Sequence, residues 1–245
     1  MTRMRILAGL AAALAVSAAS GTALAQSSDR TAVLAKAQAE FDRGDYAAAL
    51  ADLNPLLERE PNFVLGLFLR GKVYSGLGNQ AEAVRAYDRV IALDPRESEA
   101  YYNRGTANAD RGEYALALPD YDRYLTLNPG NADGLANRCQ ARAALNRELD
   151  KAKADCDDSL RRQPNDPITL ASRGLVGLRK GDYAAAVADY GAAVALNPKN
   201  TIARYGLGLA RLRSGQEEAG RADIASVNAV GPGVADRFAG WGLKP

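Results

Sequence analysis

The residues best suited to do chemistry stand in two columns that repeat along the chain. Lys36, Arg70, Arg104, Arg138 and Arg173 recur at steps of 34 or 35 residues, with Leu207 ending the series. Asp52, Ala86, Asp120, Asp155, Asp189 and Asp223 follow them 16 or 17 residues later. Cations matched in phase by carboxylates describe a ladder of ion pairs, formed within one repeat or between successive repeats. Each scheme leaves a mismatch, so the spacing does not choose between them. A row of arginines could instead grip an anionic polymer, but the in-phase acids favour the ladder. Pairs of this kind fix register more than they add stability.

Other chemistry is sparse. The chain has no histidine, which removes the usual general base, the triads that depend on it and the commonest zinc ligand. Acids are plentiful, yet beyond Glu99, Asp110 and Asp133 no in-phase set gathers on one face. The reading is a non-enzyme with no metal and no cofactor. The two cysteines, Cys139 and Cys156, lack the C-x-x-C spacing of redox pairs.

These residues have to be positioned by a recurring helical hairpin. In Pro167–Pro198, apolar residues one turn apart (Leu170, Leu175, Leu178; then Ala186, Val187, Tyr190, Ala193) mark two amphipathic helices. Gly181 suits the left-handed turn between them, Asp182 the N-cap of the second helix, and Pro198 its end. Pro61, Pro95, Pro129, Pro164, Pro198 and Pro232 keep the same phase. With each proline counted as position 32, position 8 holds Ala37, Gly71, Gly105, Cys139, Gly174 and Gly208, and position 20 holds Ala49, Ala83, Ala117, Ala152, Ala186 and Gly220. Tyr87, Tyr121 and Tyr190 stand at position 24, and Tyr46, Tyr114 and Tyr183 at position 17. The turn column is Gly44, Gly78, Gly112, Asn146, Gly181 and Gly215, asparagine being the best stand-in for glycine at positive φ. With position 8 opposite 20, position 24 lies a turn away, which sets Cys139 and Cys156 near the ~7 Å limit for a bridge. Two cysteines in one hairpin of an exported chain form a disulfide in this reading, worth roughly 3 kcal/mol by loop entropy. Buried thiols are the plainer alternative.

A 34-residue period with small residues at 8 and 20, an aromatic at 24 and proline at 32 resembles the tetratricopeptide repeat family. The likeness spans roughly residues 30 to 232, as repeats 30–63, 64–97, 98–131, 132–166, 167–200 and 201–233. Position 4 lacks the family's tryptophan, the fourth repeat has one extra turn residue within Asn146-Arg147-Glu148-Leu149, and Pro119 inside a second helix predicts a kink or a late start. The resemblance implies an all-α, right-handed superhelical solenoid of about six repeats, its concave wall lined by the first helix of each pair. It puts Tyr102, Asn103, Asn137, Gln140, Arg179 and Arg213 on that wall. It also implies that Asn103 and Asn137, both at position 6, grip the backbone of an extended peptide, a task suited to an amide that donates and accepts. The family's carboxylate-holding set is unmatched, with Leu34, Gln38, Leu69, Glu99 and Asn103 at its positions.

The first 25 residues carry Arg3 and Arg5, an apolar run from Ile6, and Ala23-Leu24-Ala25, which read as a signal peptide cleaved near Ala25. The run is too short to span a bilayer, so the mature chain has no integral membrane segment. A short polar linker, 26–29, follows. Removing the leader leaves 29 basic residues against 29 acidic, which speaks against nucleic acid. Residues 234–245 read as a capping helix and tail, with Phe238 and Trp241 closing the last repeat. The expectation is a periplasmic or secreted, non-catalytic scaffold for proteins or extended peptides. The alternative is a structural subunit of an envelope assembly that does not use its groove.

Overall fold

A computed structural model describes residues 29–231 and 233–245; the expected leader and Pro232 lie outside them. Among the described residues the protein is all α, a helical repeat of thirteen helices. Two compact units are distinguished. The first, which ends at Asp94, holds α1 (29–42), α2 (Tyr46–Arg59), α3 (Val64–Gly76) and α4 (Gln80–Leu93). The second, from Pro95 to Pro245, holds α5 (Ser98–Asp110), α6 (Tyr114–Leu127), α7 (Ala132–Ala144), α8 (Leu149–Arg162), α9 (Pro167–Lys180), α10 (Tyr183–Leu196), α11 (Thr201–Arg213), α12 (Glu217–Asn228) and α13 (Gly233–Gly240).

Each repeat folds into its hairpin through local signals. The turn residue is left-handed at Gly44, Gly78, Gly112, Asn146, Gly181 and Gly215, with φ between 53° and 84°. A capping side chain follows where the sequence supplies one: Asp45 accepts from Ala48 N, Asn79 from Glu82 N and Asp182 from Ala185 N. The extra residue of the fourth repeat is absorbed by Glu148, which also takes positive φ, at 47°. α6 starts at Tyr114 and runs unbroken through Pro119, so no late start occurs. Ala115, whose carbonyl loses its helical partner to that proline, lies on the exposed side where solvent serves it.

Three of the hairpins close on a ring-to-glycine contact that the sequence reading did not isolate. A methyl group at Gly71 would sit 2.6 Å from the Tyr87 ring, one at Gly105 2.9 Å from Tyr121, and one at Gly174 2.7 Å from Tyr190. Position 8 therefore faces position 24, and glycine is needed there to seat a tyrosine that is completely buried. Burial raises the phenol of Tyr87 to about 12. In the fourth repeat the same two positions hold the cysteines. They form a disulfide with Cα atoms 5.6 Å apart, closer than the ~7 Å expected from placing 24 a turn away.

Candidate functional site

The arginine column is occupied structurally. Arg104 donates from Nε and Nη2 to Asp120 at 2.9 and 2.6 Å, Arg138 to Asp155 at 2.9 and 2.7 Å, and Arg173 to Asp189 at 2.9 and 2.7 Å, all within a repeat. The remaining nitrogen reaches back one repeat: Arg138 Nη1 to Asp122 at 3.0 Å, Arg173 Nη1 to Asp157 at 2.8 Å. The arginine and aspartate columns therefore pair within a repeat, and the bond to the preceding repeat goes to a different column, because a guanidinium has enough donors for two carboxylates. Position 25, home of Asp122 and Asp157, is the column that sequence reading missed. It holds Gly191 ahead of the one repeat whose position 7 is Leu207, so the signal was present. In that last repeat Arg211 takes over, 2.6 Å from Asp223. Hydrogen bonds donated to Asp189, working against burial, lift Arg173 above its ordinary value.

In the second unit the first helices α5, α7, α9 and α11 touch in sequence and form a wall. The expected wall residues separate into three groups there. Asn137 of α7 lies close enough to Tyr102 of α5 for its amide to act on the phenol, and the Tyr102 ring lies 4.9 Å from that of Tyr124. Burial, with Asp133 nearby, raises the Tyr102 phenol, and Asn137 opposes the shift. Burial followed by Glu99 pushes Tyr124 up to about 12. Asn103 turns its amide to its own helix, 2.7 Å from the Glu99 carbonyl, and Gln140 is half-buried on α7. Arg179 caps the end of α7 by donating to the carbonyls of Ala143 and Ala144 at 3.1 and 3.0 Å. Arg213 donates to the Lys244 carbonyl at 2.9 Å, so it holds the chain's own tail. Asp110, grouped with Glu99 and Asp133 by sequence, instead lies within electrostatic reach of Arg237.

α13 does more than close the last repeat. Phe238 is fully buried, 4.9 Å from Tyr205 of α11 and 5.0 Å from Trp241. Trp241 packs edge-on against Tyr114 of α6, at 6.0 Å. Tyr114 and Tyr205 belong to the third and sixth repeats, and three steps between packed first helices span roughly 24–30 Å in a straight stack. Two adjacent rings bridge them, so the wall of this unit curves around the C-terminal segment. Such a wall of rings, amides and aliphatic surface can hold another polypeptide by packing and hydrogen bonds. Among the described residues no cluster of acidic or cysteine side chains is suited to a metal ion, and no helix is long and apolar enough to cross a membrane.

The tetratricopeptide repeat profile matches residues 34–81 and 68–132, and a second profile of the same repeat matches 174–215, together more than half of the chain. Among solved structures, that of MamA is similar at 26% identity, covering 70% of this chain and 93% of that one with a TM-score of 0.61. YrrB, described as a tetratricopeptide repeat protein with an unusual peptide-binding site, is 19% identical over 70% of this chain and 88% of its own, with a TM-score of 0.61. PilW, a type IV pilus biogenesis factor, is 18% identical over 81% and 92%, with a TM-score of 0.67. No curated protein sequence matches.

Proposed function

Since the chain belongs to the tetratricopeptide repeat family, we propose that it is a non-catalytic scaffold that binds proteins or extended peptides in the cell envelope after export. The observation that carries the reading is the wall of α5, α7, α9 and α11, where Tyr102 and Asn137 join aromatic surface to amide donors and acceptors. A polypeptide presents both apolar side chains and unpaired backbone groups, and this pairing of surfaces answers both. YrrB, one of the similar structures, has a peptide-binding site. Export is supported by the basic-then-apolar leader ending in Ala23-Leu24-Ala25 and by the Cys139–Cys156 bridge, which belongs to an oxidising compartment.

Crosslinking capture from envelope extract tests the binding role. Replacing Asn103 and Asn137 by alanine removes one hydrogen-bonding site or more, and the captured partner is expected to fall about tenfold. Full retention of the partner would instead favour a structural subunit that works through its outer face. The seating of α13 on the inner wall is the observation on that side. Mass spectrometry of the envelope fraction should find a mature chain beginning at Gln26; an uncleaved chain in the cytosol would defeat export.

A further inference from the structure

The C-terminal segment occupies the wall in the manner of a ligand. Its anchors are two aromatics three positions apart, Phe238 in α13 and Trp241 in the turn directly after it, whose rings pack together at 5.0 Å. Arg237, beside the first anchor, lies within electrostatic reach of Asp110 and Tyr114. The tail follows the wall, with Leu243 and Lys244 opposite Leu178, Leu209 and Arg213. This is the arrangement of an amphipathic helix in a groove, where a few spaced anchors carry the binding.

The way α13 is attached separates this seat from that of a stacked cap. An open cleft of about 450 Å³ remains beside α13 at the last repeat, lined by Ile202, Val227 and Val234, so the helix covers only part of the face that a next repeat would. Among the described residues that lead into α13, Val230 is 79% exposed, and added methyl groups at Gly231 and Gly233 would meet nothing within 4 Å. The helix is held by its rings at the wall, while Val234 and Ala235 at its base rest, partly buried, on the core of the last repeats. A fully buried Phe238 beside a partly buried Trp241 on so short a segment resembles the hot-spot anchors of an interface more than the interior of a repeat.

We propose that the wall between Tyr114 and Tyr205 is a docking site for a partner's amphipathic helix bearing Arg-aromatic-x-x-aromatic, and that residues 233–245 are an internal occupant the partner displaces. This rests on the polypeptide-binding reading above and names the class of partner. An occupant on a short tether acts at an effective concentration of about 1 mM, so it masks the site from weaker or dilute ligands.

The test uses the full chain and a labelled 13-residue helical peptide that keeps only Arg, Phe and Trp at these spacings in an alanine, glutamate and lysine background. The chain with Phe238→Ala and Trp241→Ala is expected to bind this probe at least about tenfold more tightly than the unaltered chain, by fluorescence anisotropy. The same peptide with alanine for both aromatics should bind neither. Adding Tyr114→Ala to the variant should abolish binding. A folded variant, by circular dichroism, that ignores the probe overturns the proposal, as does equal binding by both chains. Should the double variant fail to fold, Trp241→Ala alone, which frees Tyr114 and leaves Phe238 seated, must still bind more tightly than the unaltered chain. Unaltered chains that dimerise and displace the probe would make the occupant a second copy and overturn the partner assignment. Capture lost on replacing Asn103 and Asn137 while the probe never binds would sink this inference and leave the scaffold reading standing.

Discussion

The second and fourth repeats are built on one pattern and secured in different ways. In the second, Gly71 seats Tyr87, and Arg70 stands opposite Ala86 with its Nε lacking a hydrogen-bond partner among the described residues. In the fourth, a disulfide replaces the glycine–tyrosine contact, and Arg138 is clamped by Asp155 and Asp122. Arg142, itself buried, adds a 2.5 Å bond to the same Asp155. Both form the same hairpin. The contact between positions 8 and 24 is therefore what the two repeats share, and the arginine clamp reinforces particular repeats.

The largest effect should come from the bridge. Replacing Cys139 and Cys156 by alanine is expected to lower stability by about 3 kcal/mol in urea unfolding. Writing the other repeats' solution into this one, Cys139→Gly with Cys156→Tyr, should recover part of that loss. No recovery would break the equivalence of bridge and ring contact.

Next in size is the clamp. Arg138→Ala leaves the buried Asp155 short of a partner and should cost about 1–3 kcal/mol, with Arg142 limiting the loss. Arg70→Ala, with no aspartate opposite it, should stay within about 0.5 kcal/mol. Equal losses at the two sites would refute the distinction.

The smallest effect is with pH. Burial alone would raise the Asp157 carboxyl, but Lys153 and Arg173 hold it below its ordinary value. A lowered folded-state pKa gives stability that is complete above the unfolded value of 3.8 and is lost as pH falls through the folded one. Stability should decline below about pH 4, and Asp157→Asn should flatten that limb by at most about 1 kcal/mol, the pair being partly exposed.

Much of this was legible in the sequence. The in-phase prolines, the turn glycines with Asn146 standing in, and the small residues at 8 and 20 are local demands that each repeat states for itself. The arginine and aspartate columns announced ion pairs. Their dual pairing did not follow, because one guanidinium serving two repeats depends on how neighbours stack. The cysteine distance was misjudged for a related reason: facing positions on two helices depend on their crossing, which the period alone does not give.

The candidate site was the least legible part. Tyr102, Asn137 and Gln140 fall on the first-helix wall, but Arg179 turned out to be a helix cap and Arg213 a tether for the tail. By itself the sequence determined the repeating unit, since its signals lie within a few turns of helix. Only the tertiary structure decided that Phe238 lies on Tyr205 and Trp241 on Tyr114, because contacts three repeats apart arise from the accumulated curvature of the stack.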